Sequence, residues 1–374
     1  MFIFELPHLK ITSMKSHDKS NKLVSILKQE VGGNKARLCM LGYLITSLLK
    51  VRNVNFNRLA SGYHNGALLS SKIRRVQRFF TEFEFQESVY CQLIIKMLPL
   101  SGRYRLSLDR TNWKLGKRNI NILFLSVLYE GVGLPVFWCV LGDKRGNSSQ
   151  TERIELLERF MAHFGKNKIE YLTADREFIG KEWLSFLAAH QLRFFIRVRN
   201  NMHFTLCNGK KVKAHWLLLA QPLHQVYFHP KIVYLQNTLV YYSGLKYVDQ
   251  NGKIAYLILV SFQQTDLSLQ VYKNRWQIET MFRAFKSAGF QLENTHVVDE
   301  KRLDTLIKVV AIAFIWSYNL GIYLNQKHKQ IPIKKHGRRA VSLFTYGLDF
   351  LTEAFINHIK QAINKALSLF LSCT

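Results

Sequence analysis

Four residues in the run VYKNRWQIETMFRAFKSAGF, namely Tyr272, Arg275, Glu279 and Lys286, stand at the spacing Y-x2-R-x3-E-x6-K. If the run is helical, each step turns the side-chain direction by about 100°, which brings all four onto one stripe roughly 60° wide. A carboxylate, a guanidinium fork, an ammonium and a phenol on one stripe suit the holding of phosphate beside a metal. Val271, Ile278, Met281, Phe282 and Phe285 fall on the adjoining face and would seat the helix on a core. The same spacing also describes an ordinary amphipathic helix with i,i+3 and i,i+4 charge pairs, so the stripe needs further acids to become a site.

Two aspartates supply them. Asp109 closes the apolar run LSLD and Asp175 closes YLTAD. A carboxylate at the mouth of a buried strand is where an open α/β sheet places its chemistry. Asp109, Asp175 and Glu279 converging on one point would repel unless cations compensated, and hard oxygen ligands select Mg2+ or Mn2+. Two such ions about 3.5–4 Å apart activate a water or hydroxyl nucleophile and steady the leaving oxygen in phosphoryl transfer. Taken singly, Asp109 also reads as the start of a turn DRTN, and Asp175 as the cap of the helix after it. Asp143, Glu130 and Glu177 are weaker rivals, the first two in turns and the third two positions past Asp175.

The composition points to the substrate. Lys and Arg number 53 against 25 Asp and Glu, a net charge of +28. That excess calls for an acidic polymer, and nucleic acid fits best because neutralised phosphates release counterions. With 48% hydrophobic residues the chain can build large cores, and 374 residues suggest two or three domains. Five scattered cysteines without zinc spacing read as buried hydrophobes in a reducing compartment. The N-terminal residues lack a signal-peptide pattern, and the apolar run 309–324 is short and carries Ser317 and Asn319, so it reads as a core helix. A soluble cytoplasmic protein is expected.

These groups need elements to position them. Residues 1–98 read as short helices in a basic domain, with 15 Lys and Arg against 6 acids, and as a DNA reader of helix–turn–helix kind. Arg74, Arg75 and Arg78 lie on or beside one helical face and could grip phosphates, or simply face solvent. From Tyr104 the pattern turns to three strands, then alternates helix and strand to about residue 200, which gives a mixed sheet with helices packed on it. Residues 201–262 read as a β-rich insertion, 263–326 as the second part of the core, and 327–374 as a basic linker with one last amphipathic helix from about 341 to 371.

The runs LSLDRTNWKLG, ADREFIGKEW and YKNRWQIETMFRAFKSAGFQLENTH together resemble the DDE transposases of bacterial insertion sequences, specifically family four with its YREK signature. The spacings of 66 and 104 residues between the three acids suit that family. The resemblance implies a ribonuclease-H-like core interrupted by a β-strand insertion, with Asp109, Asp175 and Glu279 binding two Mg2+, or Mn2+ in their place. It implies nicking at the transposon end, hairpin formation and opening, and strand transfer into target DNA, on the bacterial nucleoid and by a homodimer on DNA. Tyr272, Arg275 and Lys286 would hold terminal phosphates. An aromatic of the insertion would stack on a flipped base; Trp216, beside Lys210, Lys211 and Lys213, is the candidate, although a Trp is more often buried. A structure-specific nuclease on the same core, or a derivative that only binds DNA, are the other readings.

Overall fold

The computed structural model describes residues 17–371 apart from 64–65, 101, 143–145 and 336, so Asp143 and Cys373 lie outside the described residues. The chain begins with five helices: α1 (His17–Val31), α2 (Lys35–Val51), α3 (Phe56–Ser61), α4 (Leu69–Glu82) and α5 (Glu87–Met97). α2 starts where the Asn34 side chain accepts the Ala36 N–H, and stops at Arg52, whose φ is 50°. Its apolar stripe, including Leu38, Leu41, Ile45 and Leu48, is buried.

The sheet opens with β1 (Tyr104–Leu115), β2 (Arg118–Tyr129) and β3 (Val132–Val140), an antiparallel meander. Helix α6 (Gln150–Phe164) starts on a Ser149/Glu152 capping box and leads to β4 (Ile169–Ala174), α7 (Lys181–Ala189) and β5 (Phe194–Val198). β4 lies parallel to both β1 and β5, so the order β3-β2-β1-β4-β5 is a mixed sheet. Six further strands follow: β6 (His203–Thr205), β7 (Lys211–Lys213), β8 (Tyr227–Phe228), β9 (Val233–Leu235), β10 (Thr238–Val248) and β11 (Ile254–Ser261). β11 pairs antiparallel with β5, so these strands continue the same sheet and cover what would be an open edge. The alternative reading of Asp109 as the start of a turn DRTN fails. β1 runs straight through Asp109, paired with β2 from Leu106↔Val127 to Leu115↔Arg118, and the chain reverses at Gly116, whose φ is +60°.

After the sheet come α8 (Ser268–Lys273), α9 (Trp276–Phe285), α10 (Glu300–Lys327), α11 (Leu343–Ile356) and α12 (Lys360–Ser368). The single helix expected to carry the YREK residues is therefore two. The break at Asn274 and Arg275 is a tighter turn, with Arg275 N–H on Tyr272 O at 3.0 Å and Ile278 N–H on Arg275 O at 3.1 Å. The expected last helix also splits, into α11 and α12, around His358 at φ 55°.

The chain divides into two units. One holds residues 102–281, the sheet with its helices. The other joins the first 101 residues to those from 282 onward, with the boundary inside α9. In this second unit α10 is long and apolar enough to cross a membrane, yet 94% of its most apolar window is buried inside the protein. A Cβ on Gly321 would strike the Leu343 carbonyl and one on Gly347 the Ser317 carbonyl, so both glycines let α10 and α11 cross backbone to backbone. Buried polar groups fix the packing: Lys308 Nζ donates to Phe85 O at 2.6 Å and pairs with Asp304, and Asn319 Nδ2 donates to Met97 O at 2.6 Å.

Candidate functional site

Parallel pairing of β1 with β4 ends at Leu108↔Ala174. Asp109 and Asp175 are the next residues on these neighbouring strands, so both carboxylates leave the sheet at the same level. β-strand alternation sends them to one face. The cap reading of Asp175 fails, because α7 begins six residues later behind Gly180, which offers no side chain. Helix α9 brings the third acid. It lies close on the sheet at Gly133 of β3, where an added Cβ would meet the Ile278 backbone at 3.0 Å, and at Ser126 of β2, whose hydroxyl reaches the Met281 sulfur at 3.4 Å. With Ile278 and Met281 seated there, the guanidinium of Arg275 spans two acids. Nη1 donates to Asp109 Oδ2 and Nη2 to Glu279 Oε1, each at 2.7 Å. Tyr272 ties in the third, its hydroxyl donating to Asp175 Oδ1 at 3.1 Å while its ring packs on Leu259 and Leu269.

The site is a partly buried charge network, deepest at Arg275 and Asp109 and open at Asp175 and Glu279. Burial lifts the Asp109 carboxyl from 3.8 to about 6; Arg275 and the Arg110 N–H pull the other way, and Glu177 and Asp175 add to the rise. Burial alone would lower the Arg275 guanidinium, but Tyr272, Asp109, Asp175 and the bond to Glu279 outweigh it and hold the cation firmly charged. Burial likewise pushes the Tyr272 phenol well above its ordinary range, so it acts as a hydrogen-bond donor. Arg275 Nε is buried without a partner, a donor left over once both Nη groups are used.

Arginines around this centre balance its remaining acids. Arg197 of β5 stands 3.9 Å from Asp175 Oδ1, and Arg110 Nε donates to Glu177 Oε1 at 2.7 Å. Glu177 is therefore an ion-paired neighbour of the site. Arg153, 3% exposed, donates to the carbonyls of Ser148, Glu177 and Ile179 and so fixes the loop that carries Asp175. Sequence reasoning missed Arg197 and Arg153; Arg197 alone carried a local signal, as the one charge in the apolar strand FFIRV, whereas α6 holds other charges beside Arg153. It also missed Trp276, 65% exposed and one helical turn from Glu279.

Other sequence-derived residues have surroundings of their own. Lys286 follows the last residue of α9 and pairs with Glu293 at 2.7 Å. Trp216 is 48% exposed, against the expectation of burial, because it sits in a 3-10 turn at the sheet's far end with Lys213 Nζ 5.8 Å from its ring. Arg74, Arg75 and Arg78 are exposed on α4 in the helical unit, Arg75 lying 5.9 Å over the Tyr63 ring. Glu130 occupies the β2–β3 turn at φ 48°.

Asp109, Asp175 and Glu279 offer carboxylate oxygens alone, the donor chemistry that hard divalent cations select. In this conformation, however, a guanidinium bridges two of them, and among the described residues no three His, Cys, Asp or Glu side chains stand close enough to share an ion. The donor set fits such a cation in chemistry, with Arg275 as its internal counter-charge.

A comparison with protein families matches residues 100–316 to the family described as Transposase DDE domain. That span includes all three acids, Tyr272, Arg275 and Lys286. No curated protein matches the chain.

Proposed function

The chain belongs to the transposase DDE-domain family, and from that premise we propose that it is the transposase of a family-four insertion sequence, cutting out and reinserting its own element. The observation that carries the reading is the joining of Asp109, Glu279 and Asp175 through Arg275 and Tyr272, residues of the YREK spacing themselves. A ribonuclease-H-like core is supported by the order β3-β2-β1-β4-β5, antiparallel on one side and parallel on the other.

In this reading Asp109, Asp175 and Glu279 would hold Mg2+, or Mn2+, which supplies activation of a water or 3′-hydroxyl and charge relief at the leaving oxygen. The chain's own residues do the rest. Arg275 bridges Asp109 and Glu279 and aligns them beforehand, and its fork would grip a DNA phosphate once a cation takes its place on the two carboxylates. Tyr272 and Arg197 hold Asp175 in place. Lys286 adds a second phosphate contact. Trp216, exposed under Lys213, offers a stacking face for a flipped base, and Arg74, Arg75 and Arg78 grip the element's ends from α4. The order of events is nicking, hairpin formation by the freed 3′-hydroxyl, hairpin opening and strand transfer, by a homodimer on the DNA of a bacterial nucleoid.

The test pairs nicking with binding. Asp109→Asn, Asp175→Asn and Glu279→Gln are each expected to abolish Mg2+-dependent nicking of a duplex carrying the element's end. All three should shift that duplex in EDTA as wild type does, since carboxylates contribute nothing favourable to phosphate binding. Nicking near the wild-type rate by any one variant removes that residue from the catalytic set.

A further inference from the structure

The segment expected to be a basic linker is an ordered hairpin. It leaves α10 with Ile331 buried and its N–H on Asn325 Oδ1 at 2.8 Å, and the Tyr346 hydroxyl donates to Lys329 O at 3.1 Å. Ile333 then bridges Arg339 in antiparallel fashion. Lys334 N–H donates to Arg338 O, Gly337 N–H to Lys334 O and Ala340 N–H to Pro332 O, each at 2.8 Å. Gly337, at φ +77°, allows the tight reversal.

This ribbon presents Lys327, Lys329, Lys334, Lys335, Arg338 and Arg339, all exposed. No acid occurs in the sequence between Asp304 and Asp349. Among the described residues, Lys327, Lys329, Lys334, Lys335 and Arg339 form no ion pair or side-chain hydrogen bond. Like charges held on one short backbone frame repel one another, and among the described residues no acid pairs with Lys327, Lys329, Lys334, Lys335 or Arg339. Ile333, between them, is 63% exposed, a large apolar side chain left mostly in solvent. The hairpin also lies beyond the residues 100–316 that match the transposase family, so that match does not account for it.

We propose that residues 327–335 with 337–339 form a phosphate-gripping ribbon that binds duplex DNA without regard to sequence. A two-stranded ribbon fits the major groove or straddles a phosphate backbone, and Lys and Arg on exposed backbone turns make position-fixing rather than base-reading contacts. Naming duplex DNA as the polyanion rests on the proposed function; a transposase must hold target DNA of arbitrary sequence besides its own ends.

The experiment uses the full chain and a short blunt duplex of scrambled sequence, with EDTA present so that no cleavage enters. Its outcome is thereby independent of whether Asp109, Asp175 and Glu279 are catalytic. Affinity is measured against salt for wild type, for Lys334→Gln/Lys335→Gln/Arg338→Gln/Arg339→Gln, and for Arg338→Lys/Arg339→Lys. Each phosphate contact contributes about 0.9 to the slope of log affinity on log salt, so neutralising four cations should lower the slope by about 2–4. The lysine-for-arginine pair should keep the wild-type slope, and thermal unfolding should match in all three proteins. If the quadruple variant melts lower, Lys334→Gln/Lys335→Gln alone decides, with an expected fall in slope of about 1–2. An unchanged slope overturns the proposal, as does loss of binding to phosphatidylserine vesicles with binding to the duplex intact.

Discussion

Arg275 is the residue on which the candidate site turns. Its two 2.7 Å bonds to Asp109 and Glu279 offset charges that burial would otherwise penalise, and the remaining cost falls on Asp109. The sign follows from linkage. The folded carboxyl near 6 lies above the ordinary 3.8, so the native state binds the proton more tightly than the unfolded chain does. Ionisation of Asp109 therefore lowers stability, not at all well below pH 3.8 and fully above about 6, by about 3 kcal/mol in total. Asp109→Asn cannot ionise and escapes that penalty. Between pH 5 and 7.5 it should gain about 1–1.5 kcal/mol on wild type, read from denaturant unfolding at each pH without divalent ions. A pH-independent difference would show that Asp109 is ionised at an ordinary pKa. In the active direction protons should compete with the cation at Asp109, so nicking at sub-saturating Mg2+ should fade as pH falls through about 6 and recover as Mg2+ is raised.

At the scale of elements, the position of Glu279 depends on how closely α9 can approach the sheet. Gly133 on β3 sets that distance, since a Cβ there would meet the Ile278 backbone at 3.0 Å and Ser126 Cβ at 3.2 Å. Gly133→Val should push α9 outward, destabilise by about 1–3 kcal/mol and cut nicking by about 100-fold. Binding of end DNA in EDTA should stay near wild type, and undiminished nicking would mean that the close approach is not needed. Much of this level was legible in the sequence: α1 to α4, α6, α7, β2 to β5 and α10 fall where apolar periodicity puts them, while α5 ends at Met97 as expected but is shorter than α4 rather than longer. The misses have physical causes. β1 continues past Asp109 because its long antiparallel pairing with β2 overrides the turn signal in DRTN. The YREK helix breaks at Asn274, where the Asn274 amide donates to the Tyr171 hydroxyl at 3.0 Å, a partner far away in sequence. That break leaves the acids and Arg275 together while setting Tyr272 on its own short helix, and the bridging of Asp109 to Glu279 could not be read from the spacing at all.

For the whole molecule, the pairing of the two chain ends matters most, and local patterns could not reveal it. Arg52 Nη2 bonds Asp349 at 2.7 Å across 297 positions, and Thr352 Oγ1 donates to Leu49 O at 2.8 Å, joining α11 to α2. Asn319 and Lys308 do the same between α10 and residues 85 and 97. The first hundred residues are thus part of the shell around α10 and cannot be treated as a detachable DNA-reading module. A chain beginning at Ser101 would keep α10, α11 and α12 but lose α2, α4 and α5, which pack on the almost wholly buried α10, and so would uncover part of its apolar surface. With about 25 cal/mol for each Å² of apolar surface returned to water, such a chain should self-associate. Size-exclusion chromatography with light scattering is expected to show aggregates for the truncated chain and a defined species for the full one. A monodisperse truncated protein with native helix content would overturn the pairing of the chain ends. The consequence for DNA recognition is direct. The contribution of Arg74, Arg75 and Arg78 has to be measured by substitution in the full chain, because removing their helix also removes part of the core beneath it.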